Sequence, residues 1–122
     1  HRLRDAVAGA LDGALQTGDR HPYVMSHISH VYETGGSLYF TVIVPATDDP
    51  VTQWAGAKSA AMDAIGSAGG TITHHHAVGR DHAPWLEGEI GLEGVRLLRG
   101  IKGLVDPQGI LNPGVLVPAT TR

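Results

Sequence analysis

Ser37-Leu38-Tyr39-Phe40-Thr41-Val42-Ile43-Val44 is the stretch whose reading decides the fold. It is rich in β-branched and aromatic residues, and Pro45 closes it. Alternation along a strand sorts its side chains onto two faces. Leu38, Phe40, Val42 and Val44 form an apolar face suited to burial under helices. Ser37, Tyr39, Thr41 and Ile43 form the other, which carries a phenol and two hydroxyls. Tyr39 is therefore a candidate acid, base or hydrogen-bond donor, and equally a tyrosine on the solvent side of a sheet. The alternation predicts that its ring lies on the face opposite Phe40. Upstream, residues 23–32 alternate well enough for a second strand. Glu33-Thr34-Gly35-Gly36 reads as the turn between them, so the whole segment is a predicted β-hairpin.

Helical periodicity flanks the hairpin. Leu3, Val7, Leu11 and Leu15 recur at helical spacing and predict a helix over 3–16 that stops near Gly18. Asp49 followed by Pro50 makes a helix start, a capping carboxylate and then proline at the first helical position. The helix predicted from there runs over 50–68, with Trp54, Lys58, Ala61, Met62 and Ile65 on one face and Gly69-Gly70 as its stop. Thr71-Ile72-Thr73 reads as a short strand and residues 74–81 as a loop. A short helix over 84–89 and a last helix over 92–105, marked by Leu92, Val95, Leu98, Ile101 and Val105, complete the elements. Asp106-Pro107-Gln108-Gly109 and Asn112-Pro113-Gly114 are turns. This order predicts an α+β fold, an antiparallel hairpin or sheet covered on one face by helices.

Composition narrows the function. The 122 residues are 42% hydrophobic and 17% charged, enough for a packed core. A net charge of -3 argues against binding nucleic acid by counterion release, so no nucleic-acid partner is expected. No apolar run approaches the roughly 18 residues of a spanning helix. There is no cysteine, which excludes disulfides and thiolate metal sites and fits a cytoplasmic protein. The chain opens at His1 directly into a helical pattern, as a piece of a longer protein would.

The other concentration of chemistry is histidine. Three of the eight histidines are consecutive, His74-His75-His76, and three imidazoles offer donors, acceptors and metal ligands near neutral pH. On an extended backbone His74 and His76 would face one way and His75 the other, a poor metal cage without help from His27, His30, Glu33 or Asp81. Metal binding, cofactor or substrate contact, and a polar surface loop all stay open on these residues alone. Arg80, beside Gly79, could clamp a phosphate or carboxylate, or pair with Asp81 or Glu87. Gly35-Gly36 and Gly69-Gly70 lack the spacing of a phosphate-cradling loop, and no serine elbow of the GxSxG type occurs.

Three segments occur in order: Ser29-His30-Val31-Tyr32-Glu33-Thr34-Gly35-Gly36-Ser37-Leu38-Tyr39-Phe40, then residues 69–81 around the histidine triplet, then Asp106-Pro107-Gln108-Gly109-Ile110-Leu111-Asn112-Pro113-Gly114. Together they resemble the C-terminal part of FAD-linked oxidases of the vanillyl-alcohol oxidase superfamily, in particular the alkyldihydroxyacetonephosphate synthase-like branch. The resemblance covers about residues 22–118. The closing segment is shared by many FAD-linked oxidases, whereas the histidine triplet is more specific to the synthase-like branch.

The resemblance implies a partial cap, or substrate, domain over residues 1–80 and C-terminal helices with a returning segment over 81–122. The N-terminal FAD-binding domain would be the absent partner, and FAD a cofactor of the full-length protein rather than of this piece. Tyr39 matches the tyrosine used near the flavin in acid/base work, and His74, His75 and His76 match an active-site histidine loop. The implied cofactor-binding residues are His76 and Asn112, the implied substrate-binding residue Arg80, and the implied substrate a small molecule or a lipid-like one. Relatives include oxidases, in which the flavin accepts a hydride, and a synthase, in which an acyl group is exchanged for an alkyl group. Two departures carry weight. Ala77 stands where a glycine is common after the histidines. Of the metal-binding pattern of related D-hydroxyacid dehydrogenases, only His30 remains of the first histidine pair, with Tyr39 in place of the second and His75 in place of a glutamate, so no metal is expected. The resulting reading is an FAD-dependent oxidoreductase or alkylglycerone-phosphate synthase-like enzyme, of which this piece is inactive alone and exposes surface that could drive a homo-oligomer. The alternative is a stand-alone α+β module that binds a metal or anion through its histidines.

Overall fold

The computed structural model describes residues 2–117. His1 and residues 118–122, the end of the expected C-terminal segment, lie outside the described residues. The elements are α1 (Arg2–Leu15), β1 (Tyr23–Tyr32), β2 (Gly35–Ile43), α2 (Pro50–Ser67), a short 3-10 turn (Ala83–Trp85) and α3 (Leu86–Val105). One compact unit ends at Gly70 and a second begins at Thr71.

The first unit is a two-layer α+β arrangement. β1 and β2 pair antiparallel as a two-stranded sheet. α1 buries Val7, Leu11 and Leu15, and α2 buries Ala57 and Met62. Val7, Leu11, Leu15 and Ala57 form the core against which Val24, Phe40, Val42 and Val44 of the hairpin pack, with Leu3, Ala61, Ala64 and Ile65 at its edge. Each large apolar side chain fully withdrawn from water contributes about 1.5–3 kcal/mol, so this shared interior fixes which sheet face turns inward. Asp49 caps α2 as expected, accepting a hydrogen bond from Thr52 N–H at 3.1 Å, with Pro50 leading the first turn. Hydrogen bonding from the Thr52 side chain, and then from its backbone N–H, holds the Asp49 carboxyl below the usual aspartate range.

The structure corrects two expectations, the hairpin turn and the strand over 71–73, and shows which faces of α2 and α3 turn inward. The hairpin turn is shorter than Glu33–Gly36: Tyr32 pairs with Gly35, leaving only Glu33 and Thr34 in the loop. Gly36 is thus a strand residue, and a Cβ there would lie 3.3 Å from His30 O and 3.3 Å from Ile28 Cγ2. Its small size serves close strand approach rather than a turn. Next, Trp54 is 61% exposed, with the Lys58 ammonium 5.9 Å from its ring centroid. The inward arc of α2 is set by Ala57, Ala61, Ala64 and Ile65, and the three small alanines suit contact with α1. Residues 71–73 form no strand. Glu89 instead accepts the N–H of Ile72 at 3.2 Å and the Thr71 hydroxyl, so a side-chain carboxylate replaces a ladder partner. Finally, only Val95 of the expected stripe on the last helix is buried, while Leu92, Ile101 and Val105 are exposed. The gap expected between residues 89 and 92 does appear, as non-helical Gly91 inside α3.

α2 ends with Gly69 at φ 75°, and Gly70 N–H returns to Ile65 O at 2.9 Å. This left-handed stop favours glycine. Gly69→Ala has open space for its methyl, so its cost is backbone strain alone, about 1 kcal/mol. Urea unfolding of the parent and variant chains measures that loss.

Candidate functional site

Tyr39 lies on β2 with its side chain 54% exposed, on the face opposite the core-packed Phe40, as alternation predicts. Its cross-strand partner is His27. The two rings stack with centroids 5.1 Å apart and planes 30° apart. The ladder shifts register between Ile28 and His30, leaving Ser29 as an extra residue on β1. Without that bulge, His30 would fall on the helix-covered face. With it, His30 pairs with Ser37 and joins His27 and Tyr39 on the open side. Ser29 Oγ lies 2.9 Å from His30 Nδ1. The open face thus carries a phenol, two imidazoles and the hydroxyls of Ser37 and Thr41. Sequence reading found Tyr39 but did not place His27 beside it.

The histidine triplet belongs to the second unit. Its backbone passes through consecutive bends rather than an extended run, so the three rings do not alternate. His74 and His75 meet edge to face at 4.1 Å between centroids, and His75 and His76 follow at 4.6 Å. All three side chains are exposed. Among the described residues, no group of three or more histidines and carboxylates converges as metal ligands do. The loop closes when Thr73 Oγ1 donates to Ala77 O at 3.2 Å. Ala77 itself is at φ 69°, a conformation that suits glycine and strains alanine.

The loop is tied to the returning segment. Arg80 donates to Pro113 O at 3.0 Å, and Leu116 N–H donates to Gly79 O at 2.9 Å. Part of the Arg80 fork is thereby committed to the backbone, with further N–H groups in the guanidinium. Asn112 sits beside Pro113 at φ 45°, a left-handed position that asparagine tolerates well. Its carbonyl accepts Val115 N–H at 3.1 Å.

Asp106 organises this turn and was read from sequence only as part of a breaker. It is 6% exposed. Its carboxylate accepts Ile110 N–H at 3.1 Å and Leu111 N–H at 2.9 Å, and it pairs with the Lys102 ammonium, which also reaches Leu111 O. The hydrogen bond from Lys102 holds the Asp106 carboxyl below the usual range, against the opposing effect of burial and helped by the Leu111 and Ile110 amides. The spacing of an acidic residue four and five positions before the two amides was the available signal. The exposed side chains of Ile110 and Leu111 stand next to Asn112 in this turn.

An amide beside exposed apolar side chains, as at Ile110–Asn112, has the chemistry to meet part of a flavin ring, and the sequence holds no phosphate-binding glycine loop.

Known proteins match this chain over most of its length. The family described as "FAD linked oxidases, C-terminal domain" matches residues 3–116. Alkyldihydroxyacetonephosphate synthase of Dictyostelium discoideum is 34% identical over 97 residues, which is 79% of this chain and 16% of that protein. The synthase of Trypanosoma brucei brucei is 30% identical over 115 residues, 93% of this chain and 19% of that protein. Glycolate oxidase subunit GlcD of Bacillus subtilis (strain 168) is 43% identical over 54 residues, covering 44% of this chain and 12% of the relative. The chain therefore spans less than a fifth of the length of these curated relatives.

Two outcomes follow from the geometry. Ala77→Gly relieves the left-handed strain, offset by the greater freedom of glycine when unfolded, and raises stability by about 0.5–1 kcal/mol, read from urea unfolding. Asp106 has a lowered folded-state pKa, so its contribution is full above the ordinary aspartate value of about 4 and fades as pH falls through the folded-state value. Asp106→Asn should lower the thermal midpoint at neutral pH, and the gap to the parent should narrow under acid, measured by circular dichroism melts across pH.

Proposed function

The chain belongs to the C-terminal domain family of FAD-linked oxidases, and from that premise we propose that it supplies substrate-side and flavin-proximal residues to a longer FAD-dependent enzyme of the alkyldihydroxyacetonephosphate synthase-like branch. The observation that carries this reading is the bonding of Arg80 and Gly79 to the Asn112–Leu116 segment. It brings the histidine loop and the closing turn, more than thirty residues apart in sequence, into one polar assembly. The names of the synthase relatives support the branch.

In this reading Tyr39 Oη exchanges a proton with the substrate, since a phenol hydroxyl both donates and accepts. Its strand is held rigid by the core beneath Phe40 and Val42. His74, His75 and His76 line the substrate pocket and orient polar groups. His76 and Asn112 hold the flavin, and further N–H groups of Arg80 take a phosphate or carboxylate of the substrate. When bound, the flavin supplies the electron-pair chemistry at the reacting carbon that no side chain here can provide. Residues up to 80 act as part of the substrate domain, and residues from 81 as the segment returning to the cofactor. The exposed Leu97, Ile101 and Leu104, which line an open groove on α3 with Glu93 and Arg96, contact the N-terminal FAD-binding domain of the same protein. The substrate is a small molecule or a lipid-like one.

The test uses the whole enzyme. Tyr39→Phe should slow turnover by about 10²-fold or more while flavin content stays at the parental level. His75→Ala and His76→Ala should slow turnover, and His76→Ala should also lower the flavin-to-protein ratio. Steady-state rates and flavin absorbance of each variant decide. Parental turnover in Tyr39→Phe would reduce the hydroxyl to a surface group and remove the acid/base assignment.

A further inference from the structure

His27 and Tyr39 are direct cross-strand partners, and their rings stack with centroids 5.1 Å and planes 30° apart. Both side chains stand on the solvent side of the sheet, where an isolated phenol would sample several rotamers. The Ser29 bulge follows two residues after His27, and the nearby Gly36, paired with Val31, has no room for a Cβ beside Ile28 and His30. The strand pairing is therefore regular through His27–Tyr39 and irregular immediately beyond, with the next imidazole, His30, turned to the same side. Bulges re-aim side chains in this way next to functional groups.

We propose that His27 is a positioning residue for Tyr39: its imidazole, stacked on the phenol, restricts the side-chain torsions of Tyr39 and holds the hydroxyl at one place above the sheet. This inference rests on the acid/base reading of Tyr39. An offset aromatic pair is favoured by the quadrupoles of both rings as well as by contact area. It orders a side chain that is 54% exposed, and pre-set geometry of this kind raises the rate of a proton-transferring group. The flat ring, rather than a charge on it, is the working part. A phenylalanine at position 27 should therefore serve, and an alanine should not.

The experiment is a double-mutant cycle in the whole flavoenzyme, with parent, His27→Ala, Tyr39→Phe and the double variant, plus His27→Phe as the conservative replacement. His27→Ala should slow turnover by about 3- to 10-fold, the range open to one lost aromatic stack, with flavin content unchanged. Adding it to Tyr39→Phe should change the rate less than about 2-fold, because the hydroxyl being positioned is already gone. His27→Phe should recover most of the parental rate. With isotopically labelled tyrosine, the ring resonance that disappears in Tyr39→Phe should move in His27→Ala and return towards its parental position in His27→Phe. A slow Tyr39→Phe combined with a His27→Ala effect that is absent, or equally large in both backgrounds, would overturn the positioning role alone. So would a Tyr39 resonance indifferent to His27→Ala. A Tyr39→Phe variant with parental turnover would instead overturn the acid/base reading on which the proposal stands.

Discussion

Antiparallel pairing of Tyr23–Tyr32 with Gly35–Ile43 is the constraint on which the first unit depends. A ladder has period two, so its register decides for every residue whether it meets the helices or the open side. Burial of Val24, Phe40, Val42 and Val44 against α1 and α2 selects that register. A slip by one residue would put Phe40 into water and Tyr39 into the core. The chemistry of the open face is thus set by the apolar residues beneath it. The single irregularity at Ser29 changes the outcome for His30 and leaves Tyr39 where strict alternation puts it.

The second unit is organised by different means. Ile72, Ala83, Leu86 and Val95 are buried within it, but its irregular segments are fastened mainly by charged or polar clasps. Glu89 holds the backbone at Ile72, Asp106 holds the amides of Ile110 and Leu111, and Arg80 holds the carbonyl of Pro113. Charge-assisted hydrogen bonds to backbone suit this task, since they fix a loop without needing a large core. They also place the functional candidates on loops supported from behind, a common arrangement for binding residues.

The legible part of the fold was the part governed by periodicity and caps. Alternation over 37–44 located β2 and the side of Tyr39, and Asp49-Pro50 located the start of α2. The bend at Gly91 was readable as the gap between two helical patterns. The Ser29 bulge was hidden because one extra residue leaves no mark in composition; only Gly36 across the ladder hints at it. The exposure of Trp54 was not legible because helical spacing defines arcs without saying which arc faces the neighbour, and the small Ala57, Ala61 and Ala64 set the inward one. Residues 71–73 have strand propensity, but three residues need a partner, and Glu89 took the role. Ala77 shows the converse. Its departure from glycine was visible in sequence, and φ 69° gives the physical reason that glycine suits the position. Of the candidate site, the residue types were legible, whereas the pairing of His27 with Tyr39 and the bond from Arg80 to Pro113 required the fold.

We propose that this chain contributes the substrate-side acid/base group and flavin-facing residues of a larger FAD enzyme, and an experimental structure of the whole protein with FAD bound tests this most directly. There the Tyr39 hydroxyl should open onto the cavity in front of the flavin ring, with His76 and Asn112 within hydrogen-bond reach of the cofactor. A structure with the Tyr39 face of the hairpin turned to bulk solvent, and the histidine loop remote from the flavin, would contradict it.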